Sequence, residues 1–510
     1  MNSKFSTKRI IVATLTVLLS SYVAFAAGLA SSVMTARALG PEEYGRFAYF
    51  VWLTGIIVVF IINGITVTLI RFVSESAGEN DLDTASQQEK WLRNTLWKCI
   101  LVTSGVCLIS YRYLGLEIAA IPGALAVALA IVCAISKSIY IFDVSKAKGY
   151  GNFNIEPRIS TVLAMLIAVL SGIALYAKAG LISFVVIFTF TSLLHPLLSF
   201  YFIKNSDINT NHSLPAYQPD ASSRNHLYWS ALLCLVALST NRAVETYILN
   251  LSFGPSEVGI FIVAATLSRS ALELVSVGLN AVLMPVLGNG LGEGGDDKVR
   301  NITQRAIKYM FFIGLLLSGC TYFFADPLVL LLYGDSFKDA ALAFKILTLT
   351  GGFTITSGIF GAYLSFTNRQ QNRAMISLAG AIIQCIVAAA VVPLYGLWGA
   401  VASTSIGTFA TFALLAYSST RKRSLALSIK HFVSIFLIFL FAMLVVNAYY
   451  LHLSNITLKI LSGLWFGIIF ILLSIVFKYW QKADYAILSR VLVPGTRTSK
   501  IVSALEKYSP

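Results

Sequence analysis

Five polar residues follow one another at intervals of three or four inside an apolar run long enough to cross a membrane. This spacing places their side chains on one stripe of an α-helix. A charge at bilayer depth costs about 2.5–3.5 kcal/mol on insertion scales, so the stripe is expected to face protein or water and not lipid. We therefore predict that it lines an interior cavity. The five residues are Thr266, Arg269, Glu273, Ser276 and Asn280.

The preceding apolar run carries Arg242 and Glu245, which are three residues apart and share one helix face. Guanidinium groups bind phosphate oxygens through paired hydrogen bonds and stay charged when desolvated. We therefore assign Arg242 and Arg269 to the binding of an anionic group. Glu245 and Glu273 keep the empty site neutral and are candidates to bind a coupling proton or sodium ion. The alternative is that each arginine and its glutamate form an ion pair that only holds helices together.

Two further residues, Lys137 and Asn280, join the predicted substrate-binding set. Lys137 lies near one end of its apolar run, so it either reaches the membrane interface or faces the cavity. Asn280 ends the polar stripe described above. The sequence contains no pattern that indicates a catalytic group, a metal site or a phosphate-binding loop, so we predict neither an enzyme nor a cofactor.

The composition excludes a water-soluble globular protein. Hydrophobic residues make up 57% of the 510 residues, charged residues only 12%, and the mean hydropathy is +0.77. The six cysteines lie singly within apolar runs, which indicates neither disulfides nor a zinc site. The net charge of +15 is spread over the gaps between apolar runs, so a nucleic-acid partner is not expected.

Fourteen apolar runs of roughly twenty residues are present, the length that crosses about 30 Å of hydrocarbon. If the N-terminus is cytoplasmic, 27 of the 38 Lys and Arg residues lie on the inner side and seven on the outer side. This bias predicts that both termini are cytoplasmic. The runs are 11–36, 47–70, 94–114, 117–142, 158–177, 180–203, 227–250, 257–284, 306–325, 340–366, 374–393, 397–417, 431–451 and 456–480.

An internal repeat relates the two halves of the chain. The turn at 40–47, GPEEYGRF, returns 214 residues later at 254–261 as GPSEVGIF, and a weaker echo follows at an offset of 216. Both echoes keep their order, so the unit is six spans repeated twice in the same orientation. The charges are not repeated: Arg242, Glu245, Arg269 and Glu273 correspond to Gly28, Ser31, Gly55 and Val59.

We therefore predict an all-α integral membrane fold with about 14 transmembrane helices, arranged as two pseudo-symmetric six-helix bundles and two C-terminal helices. The predicted parts are an N-terminal lobe at 1–203, a cytoplasmic linker at 204–226, a C-terminal lobe at 227–417, two helices at 431–480 and a cytoplasmic tail at 481–510.

Three motifs resemble those of the polysaccharide-repeat flippases, the O-antigen and capsule flippases of the MATE-like MOP superfamily. They are ARALGPEEYG at 36–45, LLYGDSF at 331–337 and PLYGLWGA at 393–400. The resemblance covers nearly the whole chain, including the number of apolar runs.

The resemblance implies two six-helix lobes around a central cavity, alternating access, and an undecaprenyl-pyrophosphate-linked oligosaccharide as the substrate. It places the chain in the bacterial inner membrane, in the biosynthesis of lipopolysaccharide or a related polysaccharide. Transport would draw on an H+ or Na+ gradient or on downstream polymerisation. The expected partners are membrane lipids and the polymerase and chain-length proteins of the same pathway.

Three alternatives remain open at this point. A drug or cation antiporter of the MATE type would need an acidic cavity and twelve spans. A flippase for the peptidoglycan lipid precursor is close to the leading hypothesis. A membrane-bound polymerase or ligase would need a large outer loop with catalytic residues, and the outer gaps in this sequence are short.

Overall fold

The computed structural model describes most of the chain as helix. The described residues are 7–79, 81–118, 121–206, 217, 219–232, 236, 238, 242–367, 369–421, 425, 429–453, 455–482 and 484. Within them, the side chains of 273–282 are not described, so the predicted site residues Glu273 and Asn280 lie outside the described side chains.

The described residues form α-helices, two short 3-10 helices and no β-strand, which confirms the predicted all-α fold. The 3-10 helices are Tyr111–Leu114 and Asp335–Phe337. The α-helices are α1 (Thr7–Gly78), α2 (Leu82–Ile109), α3 (Gly123–Gly149), α4 (Ile155–Tyr176), α5 (Leu181–Lys204), α6 (Ala221–Leu232), α7 (Ala243–Phe253), α8 (Pro255–Tyr333), α9 (Asp339–Phe366), α10 (Gln370–Thr420), α11 (Ile429–Tyr450) and α12 (Ile456–Val476).

Ten helical segments of the described chain are long and apolar enough to cross a membrane. Some of them contain two of the predicted runs, because α1 has 72 residues and α10 has 51. The helix α10 bends at Gly396, where φ is 53°. The chain is therefore a multi-pass membrane protein, whereas the number fourteen stays a prediction.

The two repeated turns are built in the same way. Gly40 has a φ of 71° and precedes Pro41, and Gly254 has a φ of 86° and precedes Pro255. Glycine adopts a positive φ without steric cost, and proline is preset for the first turn of a helix. The Gly-Pro pair therefore interrupts α1 at Gly40 in the first half and separates α7 from α8 at Gly254 in the second half.

The observed boundaries differ from the predicted runs where polar residues start or extend a helix. The run predicted at 94–114 belongs to α2, which begins twelve residues earlier at Leu82 because Asp81 caps its N-terminus. The helix of the run predicted at 117–142 begins later, at Gly123, directly after Pro122, and the Ile121 amide before it donates a hydrogen bond to the Ile118 carbonyl instead of a helical one.

One compact unit comprises residues 1–264, 332–340 and 374–407. In this unit α1 packs against α2, α3, α4, α5 and α6. The helices α3 and α4 meet through a buried apolar cluster, at the ends that the charge bias predicts to be cytoplasmic. The cluster consists of Tyr140, Val144, Ala147, Ile155, Ile159 and Leu163.

A second compact unit comprises residues 265–331, 341–373 and 408–510. Here α11 and α12 pack on α8 through an aromatic seam. Small residues let the helices approach closely, since a Cβ atom at Gly319 would lie 2.0 Å from the Phe466 ring. The buried phenylalanines of the aromatic seam are Phe311, Phe312, Phe323, Phe439, Phe466 and Phe470.

Two polar contacts fasten this seam at its ends. The Asp326 carboxylate accepts hydrogen bonds from Lys345 Nζ (2.6 Å) and from the Tyr450 hydroxyl (2.7 Å). At the other end Asp484 accepts hydrogen bonds from Lys308 and Tyr309. Burial acts to raise the pKa of Asp484, but these hydrogen bonds outweigh it and the pKa lies below its usual value.

Candidate functional site

A buried carboxylate lies near the start of α7. The Glu245 side chain is only 1% exposed. Its Oε1 accepts a hydrogen bond from Gln384 Nε2 at 2.6 Å and a longer one from Ser403 Oγ at 3.5 Å. A buried carboxylate is tolerated when such donors replace its water. We call Glu245, Gln384 and Ser403 the carboxylate site.

The bend of α10 brings both neutral partners to Glu245. Gln384 precedes the bend at Gly396 and Ser403 follows it, so the two arms of one helix supply the two donors. Close packing around Gln384 also depends on a small residue, since a Cβ atom at Gly407 would lie 2.5 Å from the Gln384 side chain. The local sequence therefore shapes the carboxylate site from two glycines and two polar residues.

Arg242 immediately precedes α7 and has a left-handed backbone, with φ 52° and ψ 43°. A residue with a Cβ atom pays about 1–2 kcal/mol for this conformation. Strain of this kind concentrates where a side chain is held for a function. The guanidinium carbon lies 6.0 Å from the centre of the Phe261 ring, at the outer limit of a cation–π contact. Arg242 thus stands at the N-terminus of a helix, three residues from Glu245.

Lys137 lies in the first half of the chain, on α3. Its Nζ is 4.0 Å from the centre of the Phe188 ring on α5. Among the described residues, no carboxylate lies within ion-pair distance of this lysine. The contact with α5 decides neither of the two alternatives derived from the sequence, the membrane interface and the cavity. Its role in binding substrate stays a prediction.

The structure does not test the remaining site residues. Arg269 has an exposed side chain on α8 and belongs to the second compact unit. Glu273 and Asn280, as stated above, lie outside the described side chains. The structure thus brings Glu245 together with Gln384 and Ser403, and Arg242 precedes Glu245 by three residues. The binding and coupling roles of these residues, and the assignment of the polar stripe on α8, remain predictions.

Sequence reasoning missed Gln384 and Ser403. Gln384 is the only residue with a carboxamide, carboxylate or basic group in the run 374–393, which was a usable signal. Sequence reasoning also missed a buried ionic cluster in the first half, where Glu89 is 3% exposed and pairs with Arg93 at 2.8 Å and Lys146 at 3.0 Å. The spacing of Glu89 and Arg93, four residues apart, is typical of an ion pair on one helix.

The first repeat has a neutral counterpart of the carboxylate site. Ser31, which corresponds to Glu245 at the offset of 214, is 8% exposed, and its hydroxyl shares a hydrogen bond of 2.8 Å with Ser171 of α4. At the same offset Ser171 corresponds to Cys385, the neighbour of Gln384. A polar contact therefore joins corresponding helices in both repeats: α1 and α4 through two hydroxyls in the first, and α7 and α10 through a carboxylate in the second.

In the described residues no group of three His, Cys, Asp or Glu side chains is arranged to hold a metal ion. The described cysteines are free.

Comparison with known proteins identifies both a family and a fold. The sequence profile of a family described as polysaccharide biosynthesis protein matches residues 34–342. Among curated proteins, no relative matches the sequence.

Several solved transporters share the fold. The lipid II flippase MurJ in an inward closed conformation is 15% identical, with 90% of this chain and 98% of that chain covered and a TM-score of 0.70. An inward-facing multidrug resistance transporter of the MATE family, also in the MOP superfamily, is 18% identical, with 78% and 93% covered and a TM-score of 0.64.

A third similar structure is a MOP superfamily transporter from Pyrococcus furiosus, described as having a binding pocket of reversed polarity. It is 17% identical, with 82% and 96% of the two chains covered and a TM-score of 0.55. At such identities these three likenesses establish a common fold, the MATE-like fold that the sequence motifs predicted.

Proposed function

Because this chain belongs to the polysaccharide biosynthesis protein family, we propose that it moves a lipid-linked oligosaccharide from the cytoplasmic to the outer leaflet of the bacterial inner membrane. The substrate is one repeat unit of a surface polysaccharide such as O-antigen, linked to undecaprenyl pyrophosphate. The observation that carries the proposal is the buried Glu245 with its donors Gln384 and Ser403, in a predicted span that also contains Arg242 three residues earlier.

The pyrophosphate is the part of the substrate that needs a protein to cross. Its charges cannot enter about 30 Å of hydrocarbon without compensation. The Arg242 guanidinium supplies a positive charge, and the N-terminus of α7 adds the positive end of the helix dipole. Arg269, Lys137 and Asn280 are the further residues that we propose for binding the same substrate. The sugars follow the pyrophosphate through the cavity.

Glu245 is proposed to couple transport to an ion gradient, and Glu273 is proposed for the same role. A buried carboxylate that accepts hydrogen bonds from one amide and one hydroxyl can exchange these donors for a proton or a sodium ion. Binding of the cation changes the charge beside Arg242, three residues away. The affinity of Arg242 for an anion then differs between the two sides of the membrane.

The test uses Arg242→Ala and Arg242→Lys in cells and in proteoliposomes. We expect Arg242→Ala to reduce surface polysaccharide and reconstituted transport at least tenfold, because charge-assisted hydrogen bonds contribute about 1.5–3 kcal/mol. Arg242→Lys restores part of the activity, since lysine keeps the charge but not the paired geometry.

The matched control is Arg158→Ala, which removes an exposed arginine from the first turns of α4. Protein insertion and amount are measured by membrane fractionation for every variant. Normal transport by a properly inserted Arg242→Ala protein would refute the role given to this residue.

A second candidate function is the flipping of the peptidoglycan lipid precursor. The extensive overlap with the lipid II flippase fold favours it, since 98% of that chain is covered. Rescue of growth in cells depleted of their lipid II flippase would support this candidate over the first. The drug or cation antiporter is disfavoured by Arg242, because a guanidinium in the binding site repels a cationic drug. The relatives are transporters, so an enzymatic function is not proposed.

The proposed setting follows from the substrate. The lipid-linked unit is completed at the cytoplasmic face and polymerised at the outer face, so polymerase and chain-length proteins are the proposed partners after release. The charge bias of the loops supports a cytoplasmic location for both termini. Labelling of the two termini in intact and opened cells tests this topology.

A further inference from the structure

Within the described part of the chain, Lys137 is held by an aromatic ring and not by a carboxylate. Its Nζ lies 4.0 Å from the centre of the Phe188 ring. Lys146 on the same helix shows the opposite arrangement, since its Nζ lies 3.0 Å from the Glu89 carboxylate. A carboxylate cancels the positive charge of its partner, whereas the quadrupole of a ring attracts an ammonium group without supplying a counter-charge. The charge of Lys137 therefore remains available to an anion.

Two further rings hold the Phe188 ring in place. Phe50 and Phe47 of α1 stand edge-on to it, with ring centres 5.7 Å and 6.3 Å away. Edge-to-face contacts of this kind are a preferred arrangement of aromatic pairs. The ring beside Lys137 is therefore fixed between α1 and α5. We call Phe47, Phe50 and Phe188 the aromatic platform.

The register of α3 against α5 gives the height of the ammonium, which the contact alone does not give. Two contacts join residues that are 56 positions apart in the chain, so the two helices run parallel: Cys133 with Thr189, and Asp143 with Ser199. Position 193 is therefore level with the backbone of Lys137, and Phe188 precedes it by five residues. Five residues of helix span about 7.5 Å. The Lys137 side chain thus points toward the N-terminal ends of both helices, the direction in which helical side chains lean.

The aromatic platform lies well inside α5. Phe188 follows the first residue of this helix, Leu181, by seven positions and precedes the last, Lys204, by sixteen. These separations correspond to about 10 Å and about 24 Å. The ammonium therefore lies far from the end of α5 that the charge bias predicts to be cytoplasmic. A charge inside a membrane is costly, and such charges mark binding and transport sites by default.

The second repeat has a cation beside the corresponding ring. Phe47 corresponds to Phe261 at the offset of 214, and each ends the repeated Gly-Pro turn. The Arg242 guanidinium carbon lies 6.0 Å from the centre of the Phe261 ring. In both repeats this phenylalanine therefore belongs to an aromatic group beside a cation that we assign to the substrate.

From these observations we propose that Phe188 is a positioning residue, which holds the Lys137 ammonium in place as an anion site of the first repeat. The ligand is an oxyanion of the transported lipid, either a phosphate of its pyrophosphate or a carboxylate on an acidic sugar. The inference rests on the proposed function and adds the residue that positions Lys137.

A double-mutant cycle in the full-length protein tests the proposal. Phe188→Leu removes the aromatic face and keeps an apolar side chain, and Lys137→Met removes the charge and keeps most of the length. Surface polysaccharide is measured in cells, and insertion and amount of each variant by membrane fractionation. We expect each substitution to reduce surface polysaccharide about tenfold, which corresponds to about 1.4 kcal/mol. The double variant should lose no more than Lys137→Met alone, because the ring acts only through the ammonium. Additive losses would overturn the proposal.

Conservative variants and a matched control separate positioning from packing. Phe188→Tyr and Phe188→Trp keep an aromatic face, so we expect them to restore most of the polysaccharide that Phe188→Leu loses. The control is Phe184→Leu. Phe184 is a buried ring of α5 that packs on the same Phe47, at 6.3 Å between ring centres, and no cation of the described residues lies over it. We expect nearly normal polysaccharide from the control. An equal loss in Phe184→Leu and Phe188→Leu would show that the rings serve packing alone.

A binding measurement distinguishes the two sources of the oxyanion. The probe is undecaprenyl pyrophosphate, which has no sugar, and its affinity is measured with the purified full-length protein in lipid nanodiscs. Weaker binding by Phe188→Leu and Lys137→Met assigns a phosphate to the site. Unchanged binding together with reduced surface polysaccharide assigns a carboxylate of the sugars. If neither binding nor polysaccharide changes, the inference fails.

The Arg242→Ala variant separates failure of this inference from failure of the proposed function. Loss of polysaccharide in Arg242→Ala with normal polysaccharide in Lys137→Met overturns the anion site and leaves the proposed function standing. Normal polysaccharide in both variants overturns the binding roles of both residues.

Discussion

The two repeats have a polar contact at corresponding positions, but the residue types that form it differ. In the first repeat Ser31 and Ser171 share one hydrogen bond between hydroxyls, and the position that corresponds to Arg242 is Gly28. In the second repeat Glu245 accepts hydrogen bonds from Gln384 and Ser403, and Arg242 is nearby. The comparison teaches that the scaffold is duplicated whereas the charge is not.

The two pairs also differ in the free energy that their burial costs. Two hydroxyls satisfy each other and stay neutral, so the first repeat carries no uncompensated charge at this position. A buried carboxylate loses several kcal/mol of hydration that hydrogen bonds only partly restore. A neutral pair of hydroxyls is sufficient for packing in the first repeat. The buried carboxylate of the second repeat costs free energy, so we expect it to serve binding and not packing.

The largest expected effect comes from moving the charge to the first repeat. Ser31→Glu with Ser171→Gln places a carboxylate and an amide where the serines pair, without an arginine at position 28. We expect unfolding to become easier by about 3–5 kcal/mol, as when a buried charge loses its partner. Thermal unfolding in detergent measures this change.

Adding Gly28→Arg to that double variant sharpens the result. A Cβ atom at Gly28 meets nothing within 4 Å, so the start of a side chain is accepted at this position. We expect the triple variant to regain part of the lost stability. If the double variant is as stable as the unaltered protein, a buried carboxylate in the first repeat costs no stability, and the contrast between the two repeats fails.

A smaller effect on stability but a clear effect on transport is expected for Glu245→Gln. Glutamine keeps an oxygen that accepts the hydrogen bond from Gln384 and removes the charge. We expect an unchanged or slightly higher unfolding temperature and a loss of transport of about tenfold or more, which corresponds to about 1.4 kcal/mol. Glu156→Gln, which alters a surface pair with Lys148, is the control. Retained transport with unchanged dependence on the ion gradient would show that Glu245 only supports the structure.

The smallest effect concerns the inner turns of the repeats. Asp81 caps α2 through Thr84, and its counterpart at the offset of 214 is Gly295, with a φ of 59°. Hydrogen bonds from the hydroxyl and amide of Thr84 hold the pKa of Asp81 below its usual value. The stabilisation is therefore present above the unfolded pKa and is lost as the pH falls through the folded pKa.

Asp81→Asn keeps the cap but does not titrate. Its unfolding temperature should therefore fall slightly less on acidification than that of the unaltered protein. The difference is measured by thermal unfolding at several pH values between about 6 and 3. This range spans the titration of a carboxyl group. Parallel curves for the two proteins would contradict the role of the Asp81 charge.

The helical class and the repeated turns were predictable because they depend on local sequence. Long apolar runs identify spanning helices, and Gly40-Pro41 and Gly254-Pro255 identify turns by backbone chemistry alone. Helix ends were less predictable, since Asp81 extends α2 well before its apolar part begins. A polar cap is invisible to a search for hydrophobicity.

The partners of the charged residues were not predictable from spacing. Gln384 lies 139 residues from Glu245 and Ser403 lies 158 residues away, so no helical periodicity links them. The cluster of Glu89 and Lys146 shows the same limit, because only its Arg93 lies on the same helix. Sequence spacing reveals which residues share one helix, whereas contacts between helices require the fold.

The aromatic seam of the second unit has a consequence for how the protein is made. The rings of α8 leave the ribosome long before Phe439 of α11 and Phe466 of α12 exist to meet them. In water such a delay would leave an apolar surface exposed to aggregation. In the membrane this surface contacts lipid tails, which are as apolar as the side chains themselves. Late docking is then guided by its polar ends, where Tyr450 reaches Asp326 and Asp484 reaches Lys308. The bilayer is therefore expected to shield the apolar surface of α8 until α11 and α12 are inserted.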